Sequence, residues 1–539
     1  MRERIYVQTD KHLYLAGEPI LMKFVTTDSE LIPLAFSRVA YAELVNDSVS
    51  LVQMMVELNN GVGTGRMVLP VDLPTGYYRL IAYTNFMRNE GAGVFFEKNI
   101  AVVNTFLSGY NLLEARTEAA RHFSPVEECD AGTVSLQTDA AIYTTRTRGE
   151  LTISGLPENI HTLSVSIAGK DFVPAAHSGA SLFRNNRMKQ SVGFSGKFIP
   201  EYEGHIITGR IIDNQTESPA TIAGTIATPA IAFPGEGVRF FPGQTSETGD
   251  VRFFTSGISG TREVATVVFN AGEQYRIDVL SPFVSQHAAR QMPTLQIDTV
   301  YYSQLLERSV ALQVFRFFAD DNLENRNVST PHMILKPSRS FPLDEFTRFT
   351  TMGEVFIEFI PGARFRRNAI GNREMQILTR RGSHFEFGMP LVLLDGVPVL
   401  DHEAIFNYDP LLVEIINLYY GPFSMGGLRF DGIIEFLTYR RLHQNLNLNR
   451  ATQVISYVGP QMPYRFHTPD YSEGDIRQRR MPDARHTLLW KPDITTNGKT
   501  SITIPFDTSD LTGEFQATVE GITKDGKFIS ATAFFKVEQ

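Results

Sequence analysis

Two stretches 129 residues apart read almost alike, and this internal repeat limits the folds open to the chain more than any other feature. Val7-Gln8-Thr9-Asp10, Leu13-Tyr14 and Gly17-Glu18 precede one apolar strand. Leu136-Gln137-Thr138-Asp139, Ile142-Tyr143 and Gly149-Glu150 precede "LTISGL", with about three extra residues in the second copy. A second echo joins "DLPTGYYRLIAYT" (72–84) to "DLTGEFQATVEGI" (510–522), where Asp-Leu leads through a Gly turn into an alternating strand. "SETGDVRFFTS" (246–256) repeats the Gly-centred approach to a strand. In "HTLSVSIAG", Leu163, Val165 and Ile167 alternate with Ser164 and Ser166, the pattern of a half-buried strand, and "SITIPF" (501–506) alternates likewise. One kind of small β domain recurs. Asp10 and Asp139 are expected to hold turns by side-chain to backbone hydrogen bonds.

A chain of 539 residues exceeds what one core supports and should divide into roughly three to five domains. Its 39 Phe and 19 Tyr against one Trp favour pleated surfaces. Fifty basic residues against 59 acidic ones give −9, which argues against nucleic-acid partners and a polybasic membrane patch. The single cysteine, Cys129, allows no intrachain disulfide and no cysteine-built metal site, and is expected to be an ordinary free thiol. No run approaches the ~18 apolar residues of a membrane helix. "MRERIYVQTD" enters a strand pattern at once, so the expectation for an exported protein is a mature form whose signal or lipid-bearing cysteine preceded Met1.

"IYVQTDKHLYLAGEPILMKF", followed by "LPTGYYRLIAYTNFM" and "FFEKNIAV", resembles the second macroglobulin domain of the α2-macroglobulin family over residues 1–107. The tail, from "TLLWKPDITTNGKTSITIPF" to "GEFQATVEGITKDG", is similar to a later macroglobulin-type sandwich. "EGHIITGRIID", "FPGEGVRFF" and "TGDVRFF" are similar to the carboxypeptidase-regulatory-like module. The family's covalent trap needs a Gly-Cys-Gly-Glu-Gln thioester. That pentapeptide is absent, and Cys129 stands in Glu-Glu-Cys-Asp, so the resemblance implies sandwiches without the trap.

Residues 296–345 break the sandwich rhythm. "DTVYYSQLLERSVALQVFRFF" (298–318) starts at helical spacing, while "VALQVFRFF" suits a strand equally. "FTTMGEVFIEFIPGARFRR" gives a short helix or turn and then a strand. "MQILTRRGSHFEFGMPLVLLDGVPV" supplies further strands, and "LLVEIINLYYGPFSMGGLRFDGIIEFLTYR" a helix or strand, a Gly-rich turn and a strand. Such alternation is α+β. "PLVLLDGVPV" (390–399), "DPLLVEIINLYYGP" (409–422) and "GGLRFDGIIEFLT" resemble the plug of TonB-dependent outer-membrane receptors. The residues carrying the resemblance are Leu391, Asp395, Gly396, Gly421, Gly426 and Gly432, structural in that family and candidates for docking here. Residue 441 leaves 98 residues, whereas a barrel of about 22 strands at roughly 9 to 11 residues each needs more than ~200, so the plug is expected to stand without a pore.

The expected architecture is mainly β. Immunoglobulin-like or macroglobulin-like sandwiches lie at 1–107, 108–200, 201–295 and 484–539, with one inserted α+β plug-like domain at 341–441. A helix-bearing linker at 296–340 and a polar linker at 442–483 join them. Catalytic motifs are lacking: there is no H-E-x-x-H, nucleophile elbow or phosphate loop. "GVGTGRMV" (61–68) is expected to be a hairpin turn. His384 with Glu386, and Asp401-His402-Glu403, are read as strand and turn positions rather than ligands, so no metal, cofactor or catalytic residue is expected. "ARFRR" and "RQRRMPDAR" are read as solvated charge, with a partner-docking patch as the alternative. The expectation is a non-enzymatic protein of the periplasm or outer membrane that docks on outer-membrane or TonB-linked proteins. The alternatives are a ligand-binding accessory of TonB-linked uptake and, last, a protease inhibitor lacking the thioester.

Overall fold

Strands β1 (Glu3–Thr9), β2 (Leu13–Leu15), β3 (Pro19–Asp28), β4 (Val39–Asn46), β5 (Val49–Glu57), β6 (Val62–Val68), β7 (Gly76–Tyr83) and β8 (Phe96–Val103) build the first sandwich. One sheet has the order β1-β3-β6 and the other β2-β8-β7-β4-β5, with β2 parallel to β8. The computed structural model describes residues 2–107, 112–113, 134–173, 177–191, 193–222, 227–235, 238–318, 335–381, 383–425, 427–443, 448, 450–471 and 481–539. It is mainly β and divides into two compact units. The first comprises Met1–Tyr202, Phe283–Val328 and Pro460–Gln539, and the second Glu203–Pro282 and Ser329–Gly459.

Of "GVGTGRMV", Gly61 does stand in a tight hairpin turn, at φ +77° between the mutually bonded Asn59 and Val62, while the rest of the stretch is β6. Its glycines answer to packing, because a Cβ at Gly65 would lie 2.6 Å from Met54 and 2.7 Å from Val56 on β5.

The first unit holds a second sandwich with the same strand order. Ser135–Thr138, Arg148–Ser154 and Ser501–Asp507 stand where β1, β3 and β6 stand. Ile142–Thr144, Phe528–Glu538, Gly513–Thr523, Ile160–Gly169 and Thr487–Lys491 repeat β2-β8-β7-β4-β5, down to the parallel pairing of the short strand with the last one. The expected separate sandwiches at 108–200 and 484–539 are therefore parts of one domain. Neither part has strands enough to cover its own core, and Leu151, Ile153, Leu163 and Val165 bury themselves against Leu488, Ile504, Phe506 and Val519. Where β4 and β5 are joined by Asp47-Ser48, the second sandwich carries residues 170–486.

Two finer expectations change with this. Thr9 pairs with Met22 and Thr138 with Leu151, so the repeat keeps its 129-residue offset through the strand pair, without extra residues. Gly17 turns the chain at φ +88°, whereas Gly149 lies inside a strand and is not its counterpart. Ser164 and Ser166 do alternate with apolar neighbours, yet both are buried. Their face meets the first sandwich, with Ser166 Oγ donating to the Asp10 carbonyl (2.7 Å) and Ser164 Oγ bonding Gln8.

Segments of the long insertion pack back onto the first unit. Helix Gly179–Met188, capped by Ser178, sets Phe183 edge-on to Tyr6 at 5.5 Å. "VALQVFRFF" is helical, within Tyr302–Phe318. Gln461 closes the open side of the first sandwich: its backbone bonds Glu57 and Met55, and its amide both accepts from and donates to the Arg66 backbone.

In the second unit, strands from Ile206–Asp213 to Tyr275–Val279 form a sandwich. Thr452–Val458 completes it by pairing along Thr261–Phe269. The polar linker expected at 442–483 thus contributes a strand, because "TQVISYV" can satisfy its backbone groups on that edge. The α+β module has a five-stranded sheet of Arg339–Pro342, Val413–Met425, Leu428–Thr438, Pro390–Leu394 and Val397–Pro398, in that order. "LLVEIINLYYGP" is accordingly strand rather than helix over Val413–Met425. A smaller sheet of Ala363–Arg367, Arg373–Arg381 and His384–Gly388 and two short helices complete the module. Helix Met352–Glu358 begins at a capping box of Thr351 and Glu354.

Candidate functional site

The residues singled out around "PLVLLDGVPV" lie inside the second unit. Strand Pro390–Leu394 is buried on both faces. Val392 and Leu394 join the module's own core, while Leu391 and Leu393 pack with Ala230, Val267 and Phe269 of the sandwich. Asp395 is only 1% exposed and takes φ +49°. Its carboxylate accepts from Thr438 N (2.7 Å), Thr438 Oγ1 (2.5 Å) and His443 N (2.7 Å). Gly396 needs its φ of +86° for this turn, and a Cβ there would also approach the Phe233 carbonyl to 3.1 Å. Gly235 N donates to the Asp395 carbonyl at 2.9 Å, tying the turn to the sandwich.

Gly432 pairs with both Pro390 and Tyr420, and a Cβ there would strike Ile377 at 2.7 Å. Gly421 lies on Val413–Met425 beside Pro422, while Gly426 lies outside the described residues. Leu391, Asp395, Gly396 and Gly432 therefore meet at one strand pair, where internal contacts occupy them.

The module's outward surface is the smaller sheet. Ala363, Met375, Ile377 and Thr379 face the core. The alternate positions, Arg364, Arg366, Glu374, Gln376, Leu378, Arg380, Phe385 and Phe387, share the other face. Phe385 is 69% exposed. The Arg364 guanidinium lies 3.8 Å over the Phe387 ring, and its Nε donates to Gln376 at 3.1 Å. Among the described residues, Ala363–Arg367 and His384–Gly388 each pair on one side only. The "ARFRR" arginines thus do reach the surface. By contrast, Arg485 of "RQRRMPDAR" is buried, bonded to Asp483 at 2.6 Å and to the Leu488 carbonyl at 3.0 Å.

The strongest electrostatics lie in the first unit, between its sandwiches. Arg308 donates to Glu18 (2.8 and 3.0 Å) and stands 3.6 Å from Asp171, which accepts from the backbones of His12 and Leu13. Burial would raise the Glu18 carboxyl, but the Arg308 and Lys11 cations outweigh it and hold Glu18 down to about 2. Burial pushes Lys23 down to about 7 and Lys98 to about 8, against the pull of Glu520. Burial, with Lys98 nearby, brings His12 to about 3. Arg308, Glu18 and Asp171 are held in ion pairs and backbone bonds, and Lys98 Nζ donates to Thr9 Oγ1 at 2.6 Å, so the arrangement is that of a structural joint.

The repeated Asp is part of that architecture. Asp10 Oδ1 accepts from Tyr14 OH (2.7 Å) and Leu21 N (3.1 Å); Asp139 Oδ1 accepts from Tyr143 OH (2.5 Å) and Glu150 N (2.7 Å). The turn-holding role expected of them is extended by a tyrosine four residues on.

A cavity of about 700 Å³ opens in the first unit beside the β4–β5 turn, lined among others by Asn46, Asp47, Thr75, Tyr77, Arg290 and Met292. Among the described residues no cluster of three or more His, Cys, Asp or Glu could hold a metal. Asp401 caps a helix through Glu403 N, His402 Nδ1 accepts from Met375 N (3.0 Å), Glu403 pairs with Arg373, and His384 lies exposed on its strand. Cys129 lies outside the described residues. No described helix is long and apolar enough to cross a membrane.

Sequence reasoning named Glu18 only as a member of the repeat and passed over Asp171, Arg308 and Gln461. Of these three, Arg308 left a signal, a charge among the apolar positions of its helix.

No family model matches the chain, and no curated protein does. Among solved structures it is similar to Salmonella alpha-2-macroglobulin reacted with methylamine, at 9% identity and TM-score 0.25, covering 100% of this chain and 39% of that one. The native conformation of E. coli alpha-2-macroglobulin is similar at 10% identity and TM-score 0.23, covering 100% and 40%. The Yersinia pseudotuberculosis adhesin InvE is similar at 12% identity and TM-score 0.14, covering 52% and 59%. The chain spans about two fifths of the length of the macroglobulins it matches. All these scores lie below 0.5, so the sandwich architecture rests on the strand pairings.

Proposed function

We propose that this chain is a non-enzymatic interaction protein of the bacterial envelope, periplasmic or associated with the outer membrane, whose α+β module docks on outer-membrane or TonB-linked proteins. The observation that carries the docking role is the exposed arginine and phenylalanine face of the smaller sheet, since exposed aromatics beside arginine mark recognition surfaces. The envelope assignment is supported by the segments that resemble macroglobulin domains and a receptor plug. The plug-like strand itself supplies the support for that face. Affinity capture from cross-linked envelopes tests the reading: outer-membrane proteins should be enriched with the full chain, and their absence would contradict it.

The cavity beside the β4–β5 turn favours a second reading, a ligand-binding accessory of TonB-linked uptake. Calorimetric titration of short oligosaccharides and peptides against the full chain and Tyr77→Ala separates the two. Binding that Tyr77→Ala weakens would favour the accessory role.

A further inference from the structure

We propose that the free edge of strand Ala363–Arg367 takes an acidic, extended protein segment as an added β-strand. This deepens the docking reading, on which it rests, by naming the partner's chemistry and where it seats.

The backbone phase of this strand is fixed. Leu378 N donates to the Gly362 carbonyl (2.7 Å) and Asn368 N to the Asn372 carbonyl (2.8 Å), which makes Ala363, Phe365 and Arg367 the non-hydrogen-bonded partners of Ile377, Met375 and Arg373. Their own N–H and C=O groups consequently point away from the sheet, along an edge with no strand beside it among the described residues; Ala363 is buried, so the accessible part of that edge is Phe365 and Arg367. That is the template on which an extended peptide adds.

Side-chain charge selects what would add. Arg364 and Arg366 stand on the outward face of this strand, and an incoming residue facing either would have its Cβ about 5 Å away. Arg366 has no hydrogen bond or ion pair among the described residues. Arg364 is held flat by Phe387 and Gln376, leaving the rest of its guanidinium outward. Residues 363–388 hold Arg364, Arg366, Arg367, Arg373, Arg380 and Arg381 against Glu374 and Glu386, in a chain whose net charge is −9. Local positive charge on an acidic protein attracts acidic partners while the remaining surface repels them. Alternating carboxylates would face Arg364 and Arg366, and the residues between them would lie over the Phe365 side of the sheet.

The test uses the full chain and a capped peptide of about seven residues alternating Glu and Val, with Lys replacing Glu as control. Fluorescence anisotropy should show saturable binding of the Glu peptide and at least tenfold weaker binding of the Lys peptide. Arg364→Glu/Arg366→Glu should weaken the Glu peptide at least tenfold. Arg367→Pro deletes an outward N–H as well as a charge, so it should weaken binding at least fivefold more than Arg367→Gln, which removes the same charge and the same side-chain bond to Gly371 but keeps the N–H. Absence of binding would overturn the proposal and leave the arginines as guards against edge-to-edge association. Charge dependence with Arg367→Pro no weaker than Arg367→Gln would overturn it too, in favour of ion contacts without strand addition. Envelope partners captured equally well by the Arg364→Glu/Arg366→Glu variant would sink this proposal and spare the docking reading.

Discussion

The two sandwiches of the first unit share every strand position and the Asp–Tyr turn lock, yet one is continuous and the other is closed by strands more than 300 residues further along the chain. The first can pair its sheets as soon as residues 3–103 exist. The second must wait for Thr487–Lys491 and the strands after it, so its core forms from non-local pairs. They also differ in what covers the three-stranded sheet. In the first, Arg4, Gln8 and Lys23 on its outer side are buried, whereas at the matching offset in the second, Gln137 is exposed and Thr152 half-buried. Insertion has left the fold unchanged, and burial of the first sheet has loaded it with charge.

Phe506→Ala should break the second sandwich selectively. Phe506 packs on Tyr143 (5.4 Å) and Phe535 (5.2 Å), and its loss should cost about 3–5 kcal/mol. Hydrogen exchange should show protection falling together in 135–169 and 487–538 while β1–β8 keep theirs. If only one of the two segments loosens, they are not one cooperative domain.

Arg308→Met strands Glu18 and Asp171 in the joint and should cost about 3–5 kcal/mol. Adding Glu18→Gln should recover part of that loss in a chemical-denaturation series. The Glu18 carboxyl, low in the folded state, contributes stability that is present above pH 4.5 and lost as pH falls towards 2, and Glu18→Gln should remove this acid sensitivity.

The turn locks sharpen the comparison. Tyr14→Phe removes a buried bond to a carboxylate and should cost about 1.5–3 kcal/mol, while Tyr143→Phe, whose Asp139 is solvent-exposed, should cost about 0.5–1.5 kcal/mol. Equal losses would show that covering the first sheet adds nothing to its lock.

Lys23→Met should cost nothing at pH 7. Burial lowers the folded-state pKa of Lys23 to about 7 against an ordinary 10.5, so the unfolded chain binds the extra proton between those values. Stability of the parent protein therefore rises with pH from 7 towards 10.5, and melting curves of Lys23→Met should lack that contribution.

Much of this was legible in the sequence, but as halves. The echoes at 7–18 and 136–150, and at 72–84 and 510–522, marked equivalent strands, and β7 does correspond to Gly513–Thr523. Local pattern carries no record of which strand pairs with which, so the two ends of one domain looked like two domains. Ser164 and Ser166 misled for a related reason: alternation distinguishes two faces without saying whether the polar one meets water or another sandwich. Gly65 and "TQVISYV" failed because a close approach and an edge pairing are properties of the neighbour. At the plug-like strand, Asp395-Gly396 was readable as a turn. That the sandwich of the same unit covers Leu391 and Leu393 was not, and this is why the outward surface lies on the arginine strand instead.

The most direct measurement is a cross-link between the halves of the split domain. Thr152 and Thr503 are register partners with hydroxyls 3.2 Å apart, and replacing both by cysteine in a Cys129→Ser background places two thiols across the β3-like and β6-like strands. Mild oxidation should give a rapid intramolecular disulfide that keeps 134–169 and 487–539 joined after proteolysis of the chain between them. Thiols that stay reduced, or that join only different molecules, would contradict the single split sandwich.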